Sequence, residues 1–137
     1  MRVIVCLDDR LGMTFGGRRQ SRDRVLVADL CRDLSEGERL LASEYSRILF
    51  DGMEARLTFC EDFLDIAEKG DTCFVENRAL APYLDRIDCL VIYRWNRHYP
   101  SDIRFDIDPS TEGFKLTDTY EFAGSSHEKI TKEIYVR

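Results

Sequence analysis

Residues 16–24 read GGRRQSRDR, four arginines in nine residues, and residues 94–99 read RWNRHY, two more beside a tryptophan and a histidine. A guanidinium offers paired N–H donors in a planar fork that matches phosphate or carboxylate oxygens. Arg18, Arg19, Arg94 and Arg97, with Ser21 and Asn96 as neutral donors and Asp9 at the end of the first apolar run, form a candidate ligand-binding set. Asp23 lies inside the first basic stretch. In a partly buried cleft its pKa can rise into proton-transfer range; in the first turn of a helix it is a stabilising acid worth about 0.3–1 kcal/mol. Residues 124–131, GSSHEKIT, add Ser126 as a further ligand contact and His127 as a second candidate catalytic group. Adjacency in sequence does not make a catalytic pair, because a base must meet its nucleophile in space and be oriented by a third group, so a turn role for His127 competes. The arginines can equally pair with Asp8, Asp9, Asp23 and Asp102 in a structural network.

These groups need elements to position them. RVIVCL (2–7) is a continuous apolar run ending at two aspartates, which predicts a short buried strand, and DDRLGMTFGG after it predicts a long irregular loop. Ser21 is the expected N-cap of the first helix, with Asp23 in its first turn and Leu26, Leu30 and Leu34 on one face. ERLLA, ARLTF, DTCFVE and DCLVIYRW predict further strands, alternating with helical segments EYSRILF (capped by Ser43), EDFLDIAEK and RALAPYL. Strands alternating with helices at this spacing predict βαβ crossovers and a largely parallel sheet. GFKLTDTYEF and KITKEIYV alternate with period two around AGSS, predicting a closing antiparallel hairpin. The fold class expected is α/β, three-layered, with a mixed, mostly parallel sheet in a single domain spanning 1–137. Arg94, Asn96, Arg97 and His98 then fall at the carboxyl end of a central strand, where open α/β sheets bind ligands. Trp95 alternates with Arg94, so one faces core and the other cleft.

Composition narrows the partners. With 137 residues, 44% hydrophobic and 34% charged, the chain is long enough to bury a core. No run reaches the roughly 18 apolar residues of a membrane helix and the start does not read as a signal peptide, so no membrane and a cytoplasmic address are expected. The five cysteines (6, 31, 60, 73, 89) show no CxxC pairing and read as reduced core residues, and neither they nor the two histidines offer a zinc set. The net charge of −6 argues against general nucleic-acid binding, which is driven by Lys and Arg, while leaving room for a local anion site.

The order of these motifs resembles the dihydrofolate reductase fold over nearly the whole chain. VIVCLDDRLGMTFGG resembles that family's opening strand and D-x-x-x-G-I/M loop, and RRQSRDRVLVADL is similar to the segment where a P-x-D motif starts the first helix, with Asp23 near the catalytic carboxylate. GDTCFVENRALAPYLDRIDCLVIYRW resembles its strand, glycine pair, helix and next strand, and YPSDIRFDID its G-D-T-x-F-P turn. The departures bear on function. The glycine pair that lets a cofactor diphosphate approach the backbone reads Glu76 and Asn77, the phosphate-holding G-R-K/H-T signature reads ASEYS, and RRQS replaces the proline and tryptophan before the acid. A carboxylate at 76 would repel a diphosphate, so the resemblance implies the scaffold without its NADPH cofactor. The whole chain also resembles short bacterial proteins carried under the label ribonuclease Z. That enzyme's two zinc ions bind through H-x-H-x-D-H, which is absent here, where His98 and His127 stand far apart.

The leading expectation is a dihydrofolate-reductase-like protein that binds a small anionic or nucleotide-like ligand without NADPH. The alternatives are a metal-independent nuclease or phosphodiesterase using His98 and His127, and an interaction module with a vestigial cleft. Trp95 is expected to pack rather than stack a base, and His127 rather than His98 to approach the cleft.

Overall fold

The computed structural model describes residues 1–52 and 57–137. Strand β1 (Arg2–Leu7) runs parallel to β6 (Thr72–Phe74) on one side and to β7 (Cys89–Arg94) on the other. Beyond β6 lie β4 (Leu40–Ala42) and β5 (Leu57–Phe59), also parallel. Beyond β7 the direction reverses: β10 (Ile130–Val136) and β9 (Lys115–Phe122) close the sheet as an antiparallel hairpin. The order is β5-β4-β6-β1-β7-β10-β9, the mixed and mostly parallel arrangement that the alternation of elements predicts.

Side chains alternate across a strand, so the central strands feed two cores. Val3, Val5, Leu7, Leu90 and Ile92 face one side, covered by Phe63 and Leu64 of the short helix α2 (Phe63–Ile66) and by Phe105, Ile107 and Phe114. Ile4, Val91, Tyr93 and Trp95 face the other, covered by Leu26, Leu30 and Leu34 of the first-helix region and by Phe50 from a 3-10 turn at Glu44–Phe50. Helix α1 (Arg24–Arg32) is thus held by an apolar stripe whose leucines each contribute roughly 1.5–3 kcal/mol on burial.

Several expected elements are shorter than their patterns. EDFLDIAEK yields four helical residues, and RALAPYL yields a 3-10 turn at Ala81–Arg86. Ser43 stands at an N-cap position without a capping side-chain bond. Of the predicted strand 55–59, residues 55 and 56 fall outside the described residues.

The expected irregular loop after β1 is instead ordered as sheet. Strands β2 (Gly12–Phe15), β3 (Arg18–Arg19) and β8 (Ile103–Arg104) form a second, three-stranded antiparallel sheet. The turn between β2 and β3 has Gly16 at φ 59° and Gly17 at φ 76°, both left-handed, which is the glycine requirement of a tight two-residue hairpin. Among the described residues no helix is long and apolar enough to cross a membrane.

Candidate ligand-binding site

Asp23, not Ser21, caps α1: its Oδ1 accepts from Val25 N at 3.0 Å and Leu26 N at 3.2 Å. Two residues of offset matter, because the cap side chain must bend back over the first turn while its backbone stays extended. The same carboxylate accepts from Ser125 N (2.9 Å), Ser126 N (2.8 Å) and His127 Nδ1 (3.2 Å), so the last hairpin is tied to the helix start through one side chain. Gly124 makes the approach possible, since a Cβ there would stand 2.2 Å from Asp23 Oδ2. Burial pushes the Asp23 pKa up, but the Ser126 and Ser125 amides, His127 and Leu26 N outweigh it and hold the acid well below the usual carboxylate range. The raised pKa that a proton-transfer role requires is therefore absent from this carboxyl.

His127 is buried, with its ring stacked on Trp95 at 4.5 Å between centroids. An ionised carboxylate can only accept, so Nδ1 carries its proton toward Asp23; with the ring neutral, Nε2 accepts from the Tyr99 hydroxyl at 2.9 Å. Ser126 Oγ lies 3.0 Å from Nδ1 and donates to the Arg22 carbonyl at 2.6 Å. Both imidazole nitrogens are thus engaged inside the protein. His98 is exposed in the turn after β7.

The four arginines of the expected set do not converge. Arg94 shares a face with Leu90 and Ile92, away from α1, and donates to Glu133 Oε1 at 2.7 Å on the neighbouring strand. Arg19 donates to both oxygens of Glu76 (2.8 and 3.0 Å) and to the Tyr45 carbonyl (2.9 Å), with its guanidinium 4.2 Å from the Tyr45 ring centroid. Burial works against the Arg19 charge, yet the pair with Glu76 raises its pKa further. Arg18, Arg97 and Asp9 are exposed. Asn96 sits at φ 57° and spends its side-chain amide on Lys129 O (3.1 Å) and Thr131 Oγ1 (2.9 Å), joining the end of β7 to β10. The structural-network reading holds for Arg19 and Arg94, but with Glu76 and Glu133 as partners rather than the aspartates.

Asp8, not Asp9, organises the loops around this site. Its buried carboxylate accepts from Arg10 N (2.8 Å), Gly12 N (2.7 Å), Gln20 Nε2 (3.1 Å) and Tyr99 N (3.2 Å). Burial raises its pKa and these donors more than reverse the effect. A cleft opens between α1 and the ends of β1 and β6, walled by Cys6, Leu26, Phe74 and Trp95 and edged by Gln20, Ser21, Arg22, Asp23 and Glu76. This inner slot is narrow, about 20 Å³, room for one water-sized group. A neighbouring outer groove of about 350 Å³ shares Arg22, Asp23, Val27 and Leu49 with it, and its rim adds Arg24, Ser125 and Ser126. Burial pushes up the thiol pKa values of Cys6 and of Cys73, the latter to about 12, so the cysteine in the cleft wall is no nucleophile at neutral pH.

A second polar cluster, on the same face of the sheet, corresponds to none of the sequence motifs. Lys132 of β10 is buried and donates to Asp29 (2.9 Å) and Asp33, while Tyr93 Oη donates to Asp29 at 2.7 Å. The signal available was the helical i, i+4 spacing of Asp29 and Asp33, opposite a lysine at an inward position of an alternating strand.

A mixed sheet in this order, with α1 on one face and an antiparallel hairpin closing it, defines a dihydrofolate-reductase-like α/β fold. Among solved structures the chain is similar to dihydrofolate reductase from Enterococcus faecalis complexed with NADP(H) and RAB-propyl, at TM-score 0.67 and 13% identity, over 99% of this chain and 95% of that one. No family model matches the sequence, and no curated protein matches it.

Proposed function

We propose that the chain binds a small, flat, nucleotide-like ligand carrying an anionic group, and does so without NADPH-dependent reduction. One observation supports this above the others: a narrow inner slot with apolar walls adjoins, across shared residues, a wider groove rimmed by Arg22, Arg24, Ser125 and Ser126. Such a shape suits a ring against Val27 and Leu49 with its anion outside, beside exposed guanidiniums. The arginines assigned to the anion are therefore Arg22 and Arg24, in place of Arg94 and Arg97.

The part of the proposal that excludes NADPH rests on Glu76. Its carboxylate, bound by Arg19 and by Ser46 Oγ at 2.7 Å, stands where the resemblance puts a glycine, which supports a reading in which a negative side chain repels a diphosphate approaching the backbone there. Titration with NADPH is expected to give no saturable energy transfer or heat, and micromolar binding would refute it. Nucleoside monophosphates are expected to raise the melting temperature by linkage. Arg22→Ala with Arg24→Ala should weaken that binding about tenfold or more, roughly 1.4 kcal/mol, whereas Arg94→Ala should leave it unchanged. An Arg94→Ala variant that loses the response would overturn the assignment.

The metal-independent nuclease reading requires an imidazole nitrogen within reach of a substrate proton. The engagement of both His127 nitrogens speaks against it, and RNA cleavage by the purified chain in EDTA, abolished by His127→Ala, would reinstate it. Capture of a protein partner by Arg22→Ala, Arg24→Ala protein as readily as by wild type would favour the interaction-module reading.

A further inference from the structure

Arginines are divided by place in this chain. Among the described residues every arginine outside 9–24 and 97–104 is committed, either to a carboxylate, as Arg2, Arg39 and Arg94 are, or, for Arg86 and Arg137, to main-chain carbonyls. The arginines left without an ion pair, Arg10, Arg18, Arg22, Arg24, Arg97 and Arg104, are all exposed and all lie inside those two segments. The exposed acids there are Asp9 and Asp102, and Asp102 already accepts from Gly16 N at 3.0 Å. A chain of net charge −6 therefore keeps one positive surface.

Backbone bonds join the two segments into that surface. Asp9 N donates to the Arg97 carbonyl at 2.9 Å, Phe105 N donates to the Leu11 carbonyl at 2.8 Å, and Gly12 of β2 stands opposite Arg104 of β8. Arg10 thus lies between residues tied to Arg97 on one side and to the neighbour of Arg104 on the other. At the far end of β2, roughly 10 Å along the strand, Phe15 stands opposite Arg18 across the Gly16–Gly17 turn. Directly opposite residues share a face, so ring and guanidinium emerge together. Phe15 is 53% exposed, and Leu11 and Ile103 are also exposed in or beside this small sheet. We propose that β2, β3, β8 and the loops at their ends form a binding surface for single-stranded nucleic acid, with Arg10, Arg18, Arg97 and Arg104 on phosphates and a base stacked on Phe15. Every cation in the two segments is an arginine or His98, with no lysine, which suits a partner offering both phosphate oxygens and flat rings. A duplex keeps its base faces stacked inside, so an exposed ring gains contact only from a single strand. The surface stands apart from the groove and does not depend on the ligand reading above.

The test is fluorescence anisotropy of the full chain with labelled oligouridylate and oligothymidylate of about 15 nucleotides, and with a duplex of the same length. Both single strands, or oligouridylate alone where the 2′-hydroxyl is read, should bind saturably at low salt, about tenfold more tightly than the duplex. Each phosphate neutralised on a single strand contributes about −0.7 to the slope of log affinity against log salt, so four arginines predict about −3. Replacing Arg10, Arg18 and Arg104 together by alanine should bring the slope to about −1. Phe15→Ser should weaken binding about tenfold and keep the slope. These positions are exposed, and an unchanged melting temperature shows that a variant folds; should the triple variant not fold, the wild-type slope and strand preference decide together with Phe15→Ser. No saturable binding of either strand, tighter binding of the duplex, an unchanged slope in the triple variant, or binding to phosphatidylserine vesicles in place of oligonucleotides overturns the proposal. The nucleoside monophosphate experiments, which read Arg22 and Arg24, are decided separately.

Discussion

Five donor contacts converge on Asp23, and their number sets what that carboxylate can do. A depressed pKa means the native state prefers the ionised form, so the acid's contribution is present above its unfolded pKa and is lost as pH falls through the folded one. Stability from this residue should therefore persist through pH 4 and fail only in stronger acid, with Asp23→Asn removing that acid limb from a urea-melt pH series. At neutral pH Asp23→Asn is expected to cost about 2–4 kcal/mol, since an amide can keep part of the helix cap but places donors against donors at the hairpin. Gly124→Ala should be comparably harmful, through the 2.2 Å approach to Asp23 Oδ2. The sequence showed the acid and the helix but not which residue caps it: Ser21 and Asp23 are both good caps, and the choice is made by Ser125 and Ser126, a hundred residues away. Asp8 and Asp9 were likewise indistinguishable until loop closure aimed Arg10, Gly12 and Tyr99 amides at the first of them.

Between elements, a buried polar tie joins α1 and its C-cap to β10 through Lys132, Asp29 and Asp33. Burial opposes the Lys132 charge, but its hydrogen bonds to Asp33 and Asp29 win and raise its pKa; Asp29 is lowered by the same lysine and by Tyr93, against its own burial. The lysine's share of stability is complete below its unfolded pKa and vanishes only as pH rises through the higher folded value. Asp29's share vanishes as pH falls, so the tie is intact across the neutral range. Lys132→Met leaves the aspartates without their cation and should cost about 3 kcal/mol in chemical denaturation, with Lys132→Met, Asp29→Leu recovering part of it. Strands were legible because short apolar runs flanked by turn residues have few alternatives in a chain this charged. The faces were less so. Arg94 and Trp95 must point oppositely, but which of them meets α1 depends on the register of β7 against β1, where Tyr93 pairs with Cys6 and Arg94 with Leu7. The loop after β1 misled for a different reason: β2 and β3 are too short to show a period, and β8, the other partner of β2, lies some ninety residues on.

Taken whole, the molecule carries a net charge of −6, and its partly buried arginines are committed to carboxylates, Arg19 to Glu76 and Arg94 to Glu133. The arginine-rich stretches seen in the sequence are thus divided between internal bracing and exposed rim, a division that composition cannot reveal. Trp95 is the only tryptophan in the chain, and it lies in the slot wall with a histidine ring stacked on it. Excited at the red edge of the ultraviolet band, where tyrosine is dark, the protein emits from this single point. Any molecule that enters the slot changes the dielectric around that indole, so occupancy should register as a shift or quench of intrinsic emission. The protein thus carries its own optical sensor, and compound collections can be sorted on it with neither a label nor an activity assay, before any ligand has been identified.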